Sequence, residues 1–240
     1  MQTADPRTFW CLGIYASGST WIFNASKKIA TALGLGAGLR SGFAVNLADL
    51  TFAADAQVAI VKTHDMDIGG AERMRAVSDA IWLSVRDPRD CVTSLMLYQQ
   101  FPFEDALEVI KAAAEFCLSV IGDPRTILFK YEDKFFDQRA TLDTLANGIG
   151  QKQLPLADAD RIFAETRRSA VERLIESFPQ LPTVVQPEPG DMVDLDTQWH
   201  THHAGRTGEV GRWRKMLTAQ QADVVATTLA EPMIRFGYKN

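Results

Sequence analysis

Residues 9–21 read FWCLGIYASGSTW, an apolar run that passes into a loop of small residues and then into a helical pattern. The apolar run predicts a buried strand, and the periodicity that starts at Ser19 predicts a helix. Small residues at such a junction let backbone N–H groups converge on one point, where the helix N-terminus adds positive potential. The segment therefore predicts a strand–loop–helix unit that binds a phosphate-like anion.

The spacing of this loop is that of a phosphate-binding loop with its lysine replaced. Gly13 and Gly18 are followed by Ser19 and Thr20, so Ser19 stands where a Walker A loop has its lysine. Hydrolysis of ATP or GTP relies on that lysine, which argues against a nucleoside triphosphatase. An ordinary strand-to-helix turn is the alternative that the loop by itself leaves open.

Three further apolar runs predict buried strands, at residues 57–62, 80–86 and 126–131. Helical patterns occupy residues 19–33, 90–100, 103–120, 133–149, 158–178 and 219–236, the last with Thr218 as its N-cap. Their alternation predicts an α/β fold, a P-loop-like central parallel sheet of about four to five strands with helices on both faces. We expect a single domain over residues 1–240, with a helical C-terminal part and a long, irregular lid loop at 179–211.

The composition argues against several classes of protein. A net charge of −5 is unlike that of nucleic-acid binders, which usually carry a basic face. The sequence has no secretory signal and no apolar run of the roughly 20 residues that span a bilayer. The three cysteines have neither disulfide nor zinc spacing. We therefore expect a cytoplasmic protein with reduced thiols, no membrane span and no nucleic-acid partner.

Charged and hydroxyl-bearing residues follow the other predicted strands. Lys62 and His64 close the second strand on the same side, where lysine can neutralise negative charge and histidine can take a proton from a hydroxyl. Arg86 ends the third strand and Ser94 lies two turns into the next helix, which suits a second phosphate. Ligands of α/β sheets bind at the carboxyl ends of strands, so we expect these groups to meet. A solvated ion pair of Arg86 with Asp90 is the plain alternative.

Taken together in this order, the segments resemble the sulfotransferases that use 3′-phosphoadenosine 5′-phosphosulfate (PAPS) as their sulfuryl donor. The first loop of that family, Pro-Lys-Ser-Gly-Thr-Thr-Trp, is similar to residues 15–21, and its Lys-Thr-His to residues 62–64. Its arginine and serine eight residues apart match Arg86 and Ser94. Its Tyr-Glu-Asp matches residues 131–133, and its late Arg-Lys-Gly…Gly-Asp-Trp element matches residues 206–213.

The resemblance implies a role for each matched residue. His64 is expected to be the general base on the acceptor hydroxyl, and Lys62 to stabilise charge during an in-line displacement that requires no metal. The residues expected to bind the donor are Ser17, Gly18, Ser19 and Thr20 at the 5′-phosphosulfate, Trp21 and Tyr131 at the adenine, and Arg86, Ser94, Arg206, Thr207 and Gly208 at the 3′-phosphate. The product is adenosine 3′,5′-bisphosphate (PAP), and the acceptor is a hydroxyl of a small molecule, glycan or peptide.

Two departures from the family pattern leave alternatives open. Ala16 stands where the family has its first-loop lysine, and Thr207 replaces a lysine of the late element. Either another cation, such as Lys62, Lys27, Lys28 or an arginine, takes the place of the missing first-loop lysine, or the chain is a catalytically weak or silent nucleotide-binding protein. A P-loop kinase is a less favoured alternative.

Three histidines, His200, His202 and His203, cluster in the lid loop. No carboxylate or cysteine completes a recognisable metal-binding spacing with them, so we expect no metal site. They are expected to line the acceptor pocket or to face solvent. The sequence indicates neither the identity of the acceptor nor the oligomeric state.

Overall fold

A computed structural model of the chain describes residues 6–45, 55–64, 67–150, 153–188, 190–203 and 208–238. The centre of the fold is a parallel sheet with the strand order β2-β3-β1-β4-β5. The strands are β1 (Arg7–Gly13), β2 (Leu39–Ala44), β3 (Val58–Thr63), β4 (Ala80–Val85) and β5 (Thr126–Lys130). Within the described ranges, no helix has the length and apolar character needed to cross a bilayer.

The four apolar runs of the sequence are confirmed as β1, β3, β4 and β5. Every residue of β3 and β4 is buried, which is why these strands appear as continuous apolar runs. The sequence analysis did not locate β2, whose residues LRSGFA contain no such run. This strand lies at the edge of the sheet and only its last residue, Ala44, is buried.

Helices cover both faces of the sheet, as predicted. Phe9 and Cys11 of β1 pack on one face, while Trp10 and Leu12 pack on the other, because successive side chains of a strand alternate. The first face is covered by α1 (Ser19–Ala32), α5 (Arg139–Gly150) and α6 (Leu156–Thr166). The second is covered by α2 (Ile68–Val77), α3 (Pro88–Tyr98) and α4 (Phe103–Ile121).

The C-terminal part is helical, with more breaks than the sequence patterns suggest. It contains α7 (Arg168–Glu176), α8 (Trp213–Met216), α9 (Ala219–Thr228) and α10 (Ala230–Arg235). Thr218 is confirmed as the N-cap of α9, in a capping box with Gln221. The predicted helix over residues 219–236 divides at Leu229, because Pro232 has no N–H to continue the hydrogen-bond ladder.

The expectation of an irregular loop at residues 179–211 is wrong in part. Two short antiparallel strands, β6 (Val184–Glu188) and β7 (Asp191–Asp194), form a hairpin in this segment. A short 3₁₀ turn, Thr201–His203, follows the hairpin. The strands are short and β6 contains Pro187, so they show no alternation of polar and apolar residues that would predict them.

The contact between β1 and β4 is closest at Gly13, the last residue of β1. An added Cβ atom at Gly13 would lie 2.3 Å from Ser84 Oγ and 2.4 Å from Ser17 Oγ. Both hydroxyls are held in place, since Ser17 Oγ donates to the carbonyl of Ile14 at 2.6 Å and Ser84 Oγ donates to that of Leu12 at 3.1 Å. The chain therefore has room only for glycine where it leaves β1.

We predict that Gly13→Ala lowers the free energy of unfolding by about 1–3 kcal/mol, the usual cost of forcing an extra methyl group into a packed site. Urea denaturation followed by circular dichroism measures the effect. Gly122→Ala is the matched control, because apart from its chain neighbours no atom of the described residues lies within 4 Å of a Cβ at that position. Its stability should stay within about 0.5 kcal/mol of the parent protein. Equal effects of the two changes would contradict the role assigned to Gly13.

Candidate functional site

The carboxyl ends of β1, β3 and β4 lie side by side, since β1 pairs in parallel with both neighbours. Residues 14–18, His64 and Arg86 follow directly after these three strands. Ligands of α/β folds bind at this edge of the sheet. Three of the predicted site segments are thus brought to one place.

The loop between β1 and α1 turns through two residues in the left-handed region. Ala16 has φ 62° and Gly18, the N-cap of α1, has φ 94°. Gly18 has no side chain that could cap the helix, and the amide of Trp21 donates to the carbonyl of Gly18 at 3.0 Å, so Ser19 and Thr20 carry the amides that another acceptor could take. A helix N-terminus without a side-chain cap favours an anion.

Ser17 supports this loop from inside the protein. Its hydroxyl is almost fully buried, and it contacts the carbonyl of Ile14 and, at 2.8 Å, the hydroxyl of Ser84. The sequence analysis expects the Ser17 hydroxyl at the anion, but in this structure it holds the loop against β4. Ser19 and Thr20 are also buried, in the first turn of α1.

Trp21 is fixed behind the loop. Its indole Nε1 donates to the carbonyl of Thr166 at 3.1 Å, and its ring lies edge-on to Phe135 with centroids 5.8 Å apart. The same Phe135 ring would lie 2.9 Å from a Cβ at Gly18. Packing of these aromatic rings therefore sets the position of the helix N-terminus, while the contact of Trp21 with an adenine stays a prediction.

Lys62 and His64 are in direct contact at the end of β3. Lys62 Nζ donates to His64 Nε2 at 3.2 Å, and His64 Nδ1 lies 3.1 Å from the carbonyl oxygen of Gly13. A carbonyl only accepts, so Nδ1 carries the proton and Nε2 keeps its lone pair. The imidazole is stacked on Tyr15 with centroids 4.7 Å apart. This is the tautomer that a proton acceptor at Nε2 needs, and in the structure its lone pair accepts from Lys62.

Burial controls the protonation of this pair. Loss of hydration lowers the pKa of Lys62 from 10.5 to about 8. Burial and then the charge of Lys62 lower the pKa of His64 well below 6.5, against the opposing effect of its hydrogen bond to Gly13. At neutral pH the pair therefore consists of a cationic lysine and a neutral imidazole.

Arg86 is buried where β4 ends, next to the loop. Its guanidinium donates to the carbonyl of Glu209 at 2.8 Å and to Asp90 Oδ2 at 3.4 Å, and it lies 4.4 Å from the ring centroid of Tyr131. Its Nε is buried and has no hydrogen-bond partner among the described residues. The ion pair with Asp90 exists, but it is buried rather than solvated as the plain alternative assumed.

Asp90 ties the late segment to this site, which the sequence analysis did not foresee. Its Oδ2 accepts from the amide of Gly211 at 2.7 Å, and its Oδ1 accepts from that of Trp213 at 3.0 Å. Gly208, with φ 57°, lies against Tyr131, whose hydroxyl would be 2.2 Å from an added Cβ. The Asp90 carboxylate thus holds the late segment near Arg86 and Tyr131. Its backbone partners are over 100 residues away in the sequence, so no local motif reveals this contact.

Two of the predicted site residues, Arg206 and Thr207, lie outside the described residues. Ser94 is buried on α3, and its contact with a 3′-phosphate stays a prediction. Glu132 belongs to the Tyr-Glu-Asp match at residues 131–133, for which the sequence indicated no role of this residue. Its Oε1 accepts from the amide of Asp87 at 2.9 Å, and its Oε2 accepts from Tyr238 at 2.6 Å. Glu132 thereby fastens the turn after Arg86 to the C-terminal end of the described chain.

Solved structures show the same fold, although no protein-family model and no curated protein sequence matches the chain. Mouse sulfotransferase SULT7A1 complexed with PAP is 16% identical, with a TM-score of 0.64 over 95% of this chain and 84% of that one. Retinol dehydratase with retinol and PAP is 15% identical, with a TM-score of 0.63 over 97% and 82%. Its complex with androsterone and inactive cofactor PAP is 14% identical, with a TM-score of 0.62 over the same shares. The sulfotransferase-like fold that the sequence predicts is confirmed.

Burial of the Lys62 ammonium destabilises the protein, and we predict that Lys62→Met raises the free energy of unfolding at pH 7 by about 2 kcal/mol. The pKa of Lys62 is lower in the folded than in the unfolded chain, so the unfolded chain binds more protons between about pH 8 and 10.5. The parent protein regains stability over that range, and the advantage of the variant should disappear. Urea denaturation at pH 7, 9 and 10.5 measures this.

Lys111→Met is the matched control for Lys62→Met. Lys111 lies on α4 with its side chain 40% exposed, so its replacement should change stability by less than about 0.5 kcal/mol. If Lys62→Met were clearly less stable than the parent at pH 7, Lys62 would be a net stabilising charge and the argument from burial would be wrong.

Proposed function

We propose that this chain transfers a sulfuryl group from PAPS to an acceptor hydroxyl. The observation that carries the proposal is the contact of Lys62 with His64 beside the anion-binding loop. A neutral imidazole with its lone pair at Nε2, adjacent to a cation and to a helix N-terminus, has the groups that a transfer between oxygen atoms requires. Mouse sulfotransferase SULT7A1 and retinol dehydratase have the same fold and are complexed with PAP, which supports this choice of donor.

In the proposed reaction His64 Nε2 takes the proton of the acceptor hydroxyl as the acceptor oxygen forms a bond to sulfur. The bond between sulfur and the bridging oxygen of the 5′-phosphate breaks, and PAP leaves with the electron pair. Lys62 Nζ, which donates to His64 Nε2 before the donor binds, turns to the oxygens of the transferring group, where it neutralises charge, and this leaves the Nε2 lone pair for the acceptor proton. Positioning and electrostatics supply most of the acceleration in such a displacement, and the proposal assigns no step to a metal.

The donor lies across the edge of the sheet in this proposal. Its 5′-phosphosulfate contacts the loop of Ser17, Gly18, Ser19 and Thr20, in which Ser17 acts by holding the loop. Its adenine lies near Trp21 and Tyr131, and its 3′-phosphate is bound by Arg86, Ser94, Arg206, Thr207 and Gly208. The buried Nε of Arg86, without a partner among the described residues, supports an anion at this end of the site.

Lys62 is the cation that we assign in place of the missing first-loop lysine. Lys27 donates to the backbone carbonyl of Asp196, and Lys28 pairs with Glu165 Oε2 at 2.7 Å. Both are therefore engaged at other places on α1. Lys62 already lies beside the loop, at 3.2 Å from His64.

A catalytically weak or silent nucleotide-binding protein is the second candidate. Ala16 favours it, because loss of a charge at the bridging oxygen removes several kcal/mol of stabilisation from comparable transition states. The buried Lys62–His64 contact favours the enzyme, since a protein that only binds the donor has no need of a costly buried cation. A kinase is disfavoured by Ser19 and Arg86.

The acceptor that we propose is a hydroxyl of a small molecule, glycan or peptide. Retinol and androsterone are named with the retinol dehydratase structures and are ring-bearing, apolar molecules. The ring centroid of Phe43 lies 4.7 Å from Lys62 Nζ, and this side chain is partly exposed. Phe43 therefore offers the acceptor an apolar contact beside the proposed reacting groups. The buried, unbridged thiols Cys11, Cys91 and Cys117 are compatible with the cytoplasmic location that we propose.

We predict that His64→Ala lowers the rate of sulfuryl transfer from labelled PAPS by at least about 100-fold, the usual contribution of a general base. Its affinity for PAP, measured by calorimetry, should stay within about threefold of the parent because the imidazole faces the acceptor. An equal loss of transfer and affinity would place His64 in the donor site instead. Transfer at the parent rate would reject a base at this position.

We predict that the protein binds PAP more tightly than ADP, and that Ser94→Ala weakens binding of PAP by about 10-fold or more. A hydrogen bond to a charged group contributes about 1.5–3 kcal/mol, and each 1.4 kcal/mol changes affinity tenfold. Binding of AMP, which lacks the 3′-phosphate, should not change.

Ser119→Ala is the control for Ser94→Ala. Ser119 lies on α4, where its hydroxyl donates to the carbonyl of Phe116 at 2.6 Å, away from the proposed donor. Its change should leave the affinity for all three nucleotides unaltered. Tight binding of ADP without preference for a 3′-phosphate would rule out PAPS as the donor.

A further inference from the structure

The histidine–aspartate cluster consists of Asp191, His200 and His202, one ligand atom of each lying within 4.8 Å of the others. His200 Nδ1 is 2.7 Å from Asp191 Oδ2, and His202 Nδ1 is 3.3 Å from Asp191 Oδ1. The sequence analysis expected no metal here because it found no carboxylate with suitable spacing. Folding of the β6–β7 hairpin supplies that carboxylate.

We propose that this cluster binds a divalent transition-metal ion of the zinc class. Two imidazoles and one carboxylate form a donor set that suits Zn²⁺, whereas Mg²⁺ and Ca²⁺ take oxygen ligands. Ligand atoms around a tetrahedral Zn²⁺ with bonds of about 2.0–2.1 Å are about 3.3 Å apart. His202 Nδ1 is at this distance from Asp191 Oδ1, whereas His200 Nδ1 is hydrogen-bonded to Oδ2 at 2.7 Å, so the His200 side chain has to rotate away from the carboxylate to seat the ion.

The backbone around the cluster is fixed before any ion binds. Asp191 is the first residue of β7, and Val193 of the same strand forms a β-bridge with His200. Thr201 Oγ1 accepts from the amide of Met192 at 3.0 Å, which holds the following turn to the strand. A site with such a fixed backbone needs little ordering when the ion arrives.

Neighbouring groups hold the two imidazoles at defined angles. His203 Nδ1 accepts from the backbone amide of His200 at 3.0 Å, and its ring is edge-on to that of His200. His202 is stacked on Tyr98, with centroids 6.5 Å apart and an interplanar angle of 9°. Contacts of this kind around metal-binding histidines fix the ring orientation and raise affinity.

The cluster is open to an incoming ion. The three side chains are between 21% and 28% exposed, which is enough for entry from solvent. In the structure each histidine donates Nδ1–H to the carboxylate. An ion bound at Nδ1 takes the place of that hydrogen bond, and each neutral imidazole then carries its proton at Nε2. The cluster does not include Lys62 or His64, but His200 lies close enough to His64 for its charge to contribute to the lowered pKa of that imidazole.

Zinc chloride titrated into the full-length protein, after treatment with EDTA and removal of the chelator, tests the proposal. We expect one equivalent of Zn²⁺ to bind with a dissociation constant in the micromolar range or below, and the melting temperature to rise. Cobalt chloride should give visible absorption bands of a four- or five-coordinate site, and magnesium chloride should not compete.

Asp191→Asn and His202→Gln should each weaken zinc binding by at least 10-fold. Glu188→Gln, which changes an exposed carboxylate of the same hairpin, and His64→Gln, which changes a histidine outside the cluster, should bind as the parent does. Circular dichroism of the zinc-free variants shows whether they are folded. No bound zinc in the parent, or equal binding by Asp191→Asn and Glu188→Gln, would overturn the proposal. If only His64→Gln lost zinc binding, the ion would bind at the proposed transfer site and not at the histidine–aspartate cluster, and the proposal would be wrong.

Discussion

The close contact between β1 and β4 at Gly13 and Ser84 is the constraint on which the rest of the structure depends. With no room for a Cβ atom, the two strands end at the same level and the chain turns directly into α1. The carbonyl of Gly13 is then free to accept from His64, while its neighbour Ile14 accepts from Ser17. One close backbone approach therefore positions the loop between β1 and α1 and the imidazole together.

Two buried cations, Lys62 and Arg86, differ in how their charges are compensated, and the uncompensated one lowers the stability of the fold. Lys62 is buried beside an aromatic ring and an imidazole, with no carboxylate bonded to it among the described residues. Arg86 is buried too, but Asp90 and the carbonyl of Glu209 compensate its charge. Arg86 is therefore held in one position by its partners. The charge of Lys62 is not neutralised by a neighbouring carboxylate in the described part of the chain, so its positive potential is available to an incoming anion.

The central sheet could be predicted from the sequence because strands covered on both faces are continuous apolar runs. The same reasoning does not find β2 and the β6–β7 hairpin, because these strands are only partly buried and carry no such run. It placed His64, Lys62 and Arg86 at one edge of the sheet, since parallel strands share a direction. It could not find Asp90 with Gly211, or Asp191 with His202, because those contacts depend on how distant segments fold back.

The backbone at Ala16 has a consequence for how such a site can change over evolutionary time. The residue is exposed, and its left-handed conformation already carries the cost of about 1 kcal/mol that any L side chain bears there. A longer side chain at this position adds no backbone strain and displaces no packed neighbour. The charge at the centre of the loop can therefore be lost or regained by substitution of one residue, while the strand, the turn and the helix remain as they are.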